Sequence, residues 1–179
     1  MTPTITPAAD GTVTVDVAAA AAQDGAGNDN TAASQFSIEN DETGPTVALT
    51  TGSADPVSGA FTITATFSEA VTGFAIGDFS VGNGAASSFS ATSATVYTAT
   101  ITPAADGSVT VDVAAATAQD SAGNGNTAAT QFSIENDETV PTVALTTGAS
   151  DPVAGAFTIT ATFSEAVTGF AIGDFSVGN

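Results

Sequence analysis

The sequence predicts an all-β chain of tandem Greek-key β-sandwiches, about seven strands per unit. Three observations carry this. Short runs alternate apolar and polar residues with the period of two that half-buried strands need. Clusters of Gly, Pro, Asp and Asn separate these runs. The chain also repeats itself: Ile5 to Gly11 returns as Ile101 to Gly107, Pro45 to Thr51 as Pro141 to Thr147, and Phe61 to Asn83 unchanged as Phe157 to Asn179, always 96 residues on. That period is too long for a helical solenoid repeat and fits a sandwich of about 100 residues.

The frame of the repeat divides the chain in three. Residues 1–41 match the second part of a unit, 42–137 form a whole unit, and 138–179 match the first part of the next. Only eleven paired positions differ, most between small or polar residues such as Ser53/Ala149 and Thr12/Ser108. Such near-identity reports a recent duplication, not which residues matter.

Within the whole unit the elements follow in order. Val47 to Thr51 is a first strand, opened by Pro45 where pairing begins. Phe61 to Phe67 alternates without a break: Phe61, Ile63, Ala65 and Phe67 face the core, and Thr62, Thr64 and Thr66 face water. A slip of one residue would expose both Phe, so the register is set. Phe74 to Val81 is a third strand with Phe79 and Val81 inward, and Ser87 to Thr92 a weaker fourth. Tyr97 to Ile101 alternates again. Ser108 to Val113 turns Val109, Val111 and Val113 inward. Ala129 to Ile134 closes the unit with Phe132 and Ile134 inward. Outward positions are mostly Thr, whose branched Cβ favours strands while its hydroxyl stays wet. Ala114 to Ala118, between a strand and a Gly-Asn loop, reads as a strand end or short turn and not as a helix.

Composition narrows function. The chain has no Lys, Arg, His or Cys against 19 Asp plus Glu, a formal net charge of −19. No side-chain salt bridge is therefore available to it. Phosphates and anionic lipid headgroups find no cationic partner, which argues against nucleic-acid and membrane binding. No His, Lys or thiol offers a base near neutral pH or a strong nucleophile. A carboxylate pair for glycosidic chemistry would need an aromatic cleft, and the chain has no Trp and one Tyr, Tyr97. No enzyme activity and no small-molecule substrate are expected. No apolar run approaches the roughly 20 residues that span a bilayer. Met1 opens no basic-then-apolar leader, so any export signal is expected elsewhere. The glycine loops Ser121 to Gly125 and Gly25 to Asp29 lack the Lys and the strand–helix context of a phosphate cradle and read as turns.

In order and spacing, Pro45-Thr-Val47, Phe67-Ser-Glu-Ala-Val71, Tyr97-Thr-Ala-Thr-Ile-Thr-Pro103, Ala105-Asp-Gly-Ser-Val-Thr-Val111 and Asp120-Ser-Ala-Gly-Asn124 resemble the bacterial Ig-like repeats of very large surface adhesins. The similarity runs over the whole chain. It implies a seven-stranded immunoglobulin-like sandwich, tandem stringing, secretion to the bacterial cell surface, calcium between or within repeats, and no catalytic residues. The chain departs from that pattern in lacking the few Lys and Arg such repeats carry, which leaves its carboxylates to external cations.

If the strands run up and down in the usual order, each junction between units gathers carboxylates from three places. The first would hold Asp10, Glu39, Asp41 and Glu42 with Glu69, Asp120 and Asn124. The second would hold Asp55, Asp106, Glu135, Asp137 and Glu138 with Glu165. Calcium takes six to eight oxygen ligands of this kind. Taken singly, each of these residues reads as an ordinary solvated turn residue, and Asp106-Gly107 as a hairpin turn. Asp16 and Asp112 sit at outward strand positions, and Asp29 is Gly125 in the other copy. Taken together, so many like charges in a short span call for a cation.

Two roles follow. The first is an extracellular structural spacer of a repeat adhesin, a rod of Ig-like units stiffened by calcium, whose partners are neighbouring repeats. The second is a subunit of an extracellular filament, in which the partial terminal units of identical chains complement each other head to tail; the plainer reading of those ends is an arbitrary cut through a longer polymer. The unit so completed would lack only the equivalent of residues 84–96. Sugar binding by a sandwich face is weaker, because the aromatics fall on inward positions.

Overall fold

The computed structural model describes residues 2–178. These residues fall into two compact units, divided after Asp137. The first contains β1 (Gly11–Val15), β2 (Phe36–Asn40), β3 (Val47–Thr50), β4 (Phe61–Phe67), β5 (Phe79–Gly82), β6 (Gly84–Ala91), β7 (Val96–Pro103), β8 (Gly107–Val113) and β9 (Phe132–Asn136). The second contains β10 (Val143–Thr146) and β11 (Thr160–Phe163).

Strands β3 to β9 make one sandwich. One sheet has the order β3-β4-β7-β6 and the other β5-β8-β9, with every pair antiparallel. This is the four-plus-three Greek-key order of a constant-type immunoglobulin domain. The alternation in the sequence sets the inner faces. Phe61, Ile63, Ala65 and Phe67 of β4 and Tyr97, Ala99 and Ile101 of β7 are buried against Val109, Val111 and Val113 of β8 and Ile134 of β9.

Phe74 lies at the centre of an aromatic cluster, 5.1 Å from Phe67 and 5.2 Å from both Phe79 and Tyr97, each edge to face. The Tyr97 hydroxyl donates to the carbonyls of Val71 (3.1 Å) and Ala94 (3.3 Å), so this buried ring keeps its polar end satisfied.

Three elements differ from the sequence expectation. The strand expected over Phe74 to Val81 starts only at Phe79. Ile76–Asp78 is a 3-10 turn whose Asp78 carboxylate accepts the Ala75 N–H at 2.7 Å, a local bond that competes with pairing. The strand expected at Ser87 to Thr92 runs over Gly84–Ala91, with a register shift between Ser87 and Ser90 and Ser88 at φ +51°. This is a β-bulge on an edge strand. The closing strand begins at Phe132, three residues later than expected.

Between β3 and β4, neighbours in one sheet, the connecting segment reaches across to the β9 edge of the other sheet. Val57 donates to the Glu135 carbonyl at 2.8 Å and accepts from the Asp137 N–H at 2.9 Å, adding a parallel bridge beside β9. Buried Asn136 secures the crossing: its side chain accepts from Gly59 N–H and donates to Ala105 C=O, both at 3.1 Å.

Residues 1–41 carry the β1–β2 hairpin, the counterpart of β8–β9, with Phe36 and Ile38 more than half exposed. In residues 138–179, β10 pairs β11 as β3 pairs β4. Yet β11 is four residues long where the identical sequence of β4 gives seven.

Candidate functional site: a carboxylate cluster where a linker meets a sandwich

Asp41 opens the segment between β2 and β3, Glu69 lies in the turn after β4, and Asp120 lies in the loop between β8 and β9. One carboxylate oxygen from each lies within 4.8 Å of the other two. The loop geometry is locally encoded. Asp120 Oδ1 accepts the N–H groups of Ala122 (2.8 Å), Gly123 (2.7 Å) and Asn124 (2.9 Å), while Oδ2 accepts the Asn124 side-chain amide at 2.9 Å. Gly123 takes φ +94°, which a Cβ would strain. The same net recurs at Asp24, which accepts from Ala26 N (2.8 Å), Asn28 N (2.9 Å) and Asn28 Nδ2 (2.9 Å).

The electrostatics of the three carboxyls diverge. Burial pushes Asp120, 5% exposed, toward a higher pKa. The Asn124 amide and the N–H groups of Asn124, Gly123 and Ala122 outweigh that and hold it below the usual aspartate range. Glu69 accepts no such set. Burial, then the charges of Asp41 and Asp120, push it above the usual glutamate range. The cluster thus concentrates negative charge with no basic residue to oppose it. Its donors are all hard oxygens, the set that suits calcium or magnesium and not a soft transition metal. The residues present fit a hard divalent ion, and the cluster could hold one.

The remaining candidates fall in different places. Asn124 joins the cluster through its amide, which also donates to the Asp41 backbone carbonyl at 3.0 Å. Asp10 sits beside the linker instead: it accepts the Glu42 N–H at 2.8 Å and the Thr43 hydroxyl, and these bonds lower its pKa, the Thr43 hydroxyl most. Glu39 accepts the Thr12 hydroxyl across the β1–β2 ladder. In the second expected group, Asp55 Oδ1 accepts the Glu135 N–H at 3.0 Å, which ties the crossover to β9. Asp106 precedes Gly107 at the start of β8, and Asp137 lends its N–H to Val57. Glu138 and Glu165 lie in the second unit. By repeat position Asp137 and Glu165 are the counterparts of Asp41 and Glu69.

Sequence reasoning passed over the buried asparagines. Asn126, 2% exposed, accepts Thr117 N (2.9 Å) and Ala118 N (2.8 Å) and donates to Ala114 C=O (2.9 Å) and Thr127 C=O (2.8 Å). It holds the Asp120 loop closed. Asn136 was legible by parity, since Phe132, Ile134 and Asn136 fall on one strand face.

The strand order and the loop-borne site define an immunoglobulin-type β-sandwich with a polar, acidic end. A family model described as bacterial Ig-like domain matches residues 41–135 and again 137–179, most of the chain. The chain belongs to the bacterial Ig-like domain family, whose members are typically non-enzymatic and often borne on the cell surface. No curated protein and no solved structure matches it. Among the described residues no helix is long and apolar enough to cross a membrane.

Proposed function

We propose that the chain is an extracellular spacer segment of a bacterial repeat adhesin, a rod of Ig-like units stiffened by calcium. The observation that carries this reading is the meeting of Asp41, from the segment leading into the unit, with Glu69 and Asp120 of the unit itself. A cation there would draw linker and sandwich together and neutralise charge that nothing else in the chain can offset. Backbone carbonyls and water would complete the shell.

Thermal unfolding with calcium, with magnesium and with a chelator tests this. Binding only to the folded state stabilises it by about 2.7 kcal/mol at a hundredfold excess over Kd, which shifts the midpoint by several degrees. Calcium should raise the midpoint for the wild type and not for Glu69→Ala. Equal midpoints in calcium and chelator would remove the cation from the proposal. Arrays of increasing unit number should lengthen in proportion by X-ray scattering.

A second reading, a filament subunit joined head to tail, draws on one observation. Apolar side chains of core type stand exposed in both partial units: Phe36 and Ile38 in one, Phe157 and Ile172 in the other.

A further inference from the structure

The outward face of the β3-β4-β7-β6 sheet is built of hydroxyls. Thr62, Thr64 and Thr66 of β4 and Thr98, Thr100 and Thr102 of β7 alternate with the buried residues of those strands. Strand pairing sets them in rows. Ser87, Thr100 and Thr62 form one row, and Ser90, Thr98, Thr64 and Thr50 the next. Neighbours in a row lie about 4.8 Å apart, and alternate residues along a strand about 6.7 Å apart. The result is a two-dimensional array in which each Thr presents one methyl and one hydroxyl.

Two observations set this face apart. First, it carries no charge. None of β3, β4, β6 and β7 contains Asp or Glu in a chain that has 19, whereas the other sheet has Asp112 on β8 and Glu135 on β9. Second, its central hydroxyls have no partner in the chain. Elsewhere in the unit the Thr51 hydroxyl donates to the Thr62 carbonyl at 2.7 Å, the Thr117 hydroxyl donates to the Ala114 carbonyl at 3.2 Å, and Ser108 pairs with Ser133 at 2.9 Å. Among the described residues, the hydroxyls of Thr62, Thr64, Thr98 and Thr100 make no such bond. They are free to bind outward.

We propose that this face binds the surface of an ice crystal. Ice is a neutral, periodic lattice in which every oxygen both donates and accepts, and a Thr hydroxyl does both. A carboxylate on the face would orient water against that lattice, and the face has none. The row spacings lie close to the oxygen repeats of ice faces. The branched Cβ restricts each Thr to few rotamers, so the hydroxyls lose little freedom on binding. Sheet twist turns successive strands by roughly 20°. The match is therefore best on β4 and β7, which pair over six positions, and fades toward the edges. A neutral glycan fits less well, because it needs an aromatic platform and Phe61, Phe67 and Tyr97 face the core. The repeat preserves the array: Thr146, Thr158, Thr160 and Thr162 stand 96 residues after Thr50, Thr62, Thr64 and Thr66. Ice binding here needs neither a cation nor a second unit, so the spacer reading stands or falls separately.

Ice crystals grown in millimolar wild-type chain test this in a nanolitre osmometer, which reads crystal shape and the gap between melting and growth temperatures. Faceted crystals and a gap that widens with protein concentration are expected. Thr98→Lys, which plants a charge at the centre of the array, should narrow the gap several-fold. Thr64→Ala/Thr98→Ala, which only trims the face, should narrow it as well. Thr110→Lys, on the outward face of β8, should leave it unchanged. Unfolding midpoints of all three variants are read alongside, so that a loss of fold is not mistaken for a loss of binding. Disc-shaped crystals with no gap in the wild type overturn the proposal. So does a gap that the folded face variants keep, or one that Thr110→Lys narrows equally.

Discussion

The side-chain amide of Asn124 donates to the backbone carbonyl of Asp41 at 3.0 Å, joining residues 83 positions apart. The same amide donates to the Asp120 carboxylate at 2.9 Å. One neutral side chain thus locks the linker to the loop that carries the most buried carboxylate of the cluster.

Replacing Asn124 by Ala should loosen this joint while leaving the sandwich core intact. Two hydrogen bonds are lost, one to a charged acceptor, so destabilisation of about 1–2 kcal/mol is expected in metal-free buffer. Asn124→Asp removes both donors and adds a fourth carboxylate. It should destabilise the metal-free protein further and enlarge the gain in midpoint on adding calcium. Denaturant unfolding in chelator and in calcium reads both effects.

The pH dependence follows from opposite shifts within the cluster. Glu69 lies above the usual glutamate range, so the folded chain binds its proton before the unfolded chain does. As pH falls through that raised value, metal-free stability should rise; it is lost again as pH climbs back through it. Asp120, Asp10 and Asp24 lie below the usual aspartate range. Their contribution is present above that range and disappears as pH falls through their lowered values. Metal-free stability should therefore peak in mildly acidic buffer. Saturating calcium, which needs Glu69 ionised, should move the peak toward neutral pH. Unfolding midpoints across pH, with carbon-detected NMR titration of the carboxyls, check the sign of each.

Asn126→Ala tests the buried polar net beneath the site. The substitution strands the N–H groups of Thr117 and Ala118 and the carbonyl of Thr127, and leaves the Ala114 carbonyl only the Thr117 hydroxyl. A loss of about 3 kcal/mol is expected, more than any exposed carboxylate change should cause. Hydrogen exchange should localise the damage to residues 114–127.

What the sequence made legible was whatever is decided locally. The alternation of Phe61 to Phe67 placed its inner face correctly, and Asp-x-Ala-Gly-Asn folds the same loop at Asp24 and at Asp120. Pairing-dependent structure was not legible in the same way. Phe61 to Phe67 and Phe157 to Phe163 are identical, yet one is a seven-residue strand and the other four, because β4 has a partner on both sides and β11 on one. In the site, turn residues near one end of the sandwich pointed to Asp41, Glu69 and Asp120. The hydrogen bonds that Asp10, Glu39 and Asp55 accept depended on which backbone N–H or hydroxyl came within reach, and spacing does not encode that.

The last prediction concerns Gly44, one of the eleven positions at which the repeats differ; its counterpart is Val140. A Cβ on Gly44 would lie 2.2 Å from the carbonyl oxygen of Gly125 and 3.8 Å from the Asn124 Cβ. The obstruction is backbone, so the side chain cannot turn away from it. Gly125 cannot easily retreat either, since its own Cα faces Ala116 at a distance where a Cβ would stand 3.1 Å off. Gly44→Val should therefore push the lead-in segment off the Asp120 loop and cost about 1–3 kcal/mol. Displacing that segment also draws Asp41 away from Asn124 and from the cluster. The variant should accordingly lose most of its stabilisation by calcium, whereas an exposed control away from the linker such as Thr62→Val should keep it. Matched calcium titrations of the unfolding midpoint decide the point: an unchanged calcium response in Gly44→Val would mean that the cation, wherever it binds, does not need the linker.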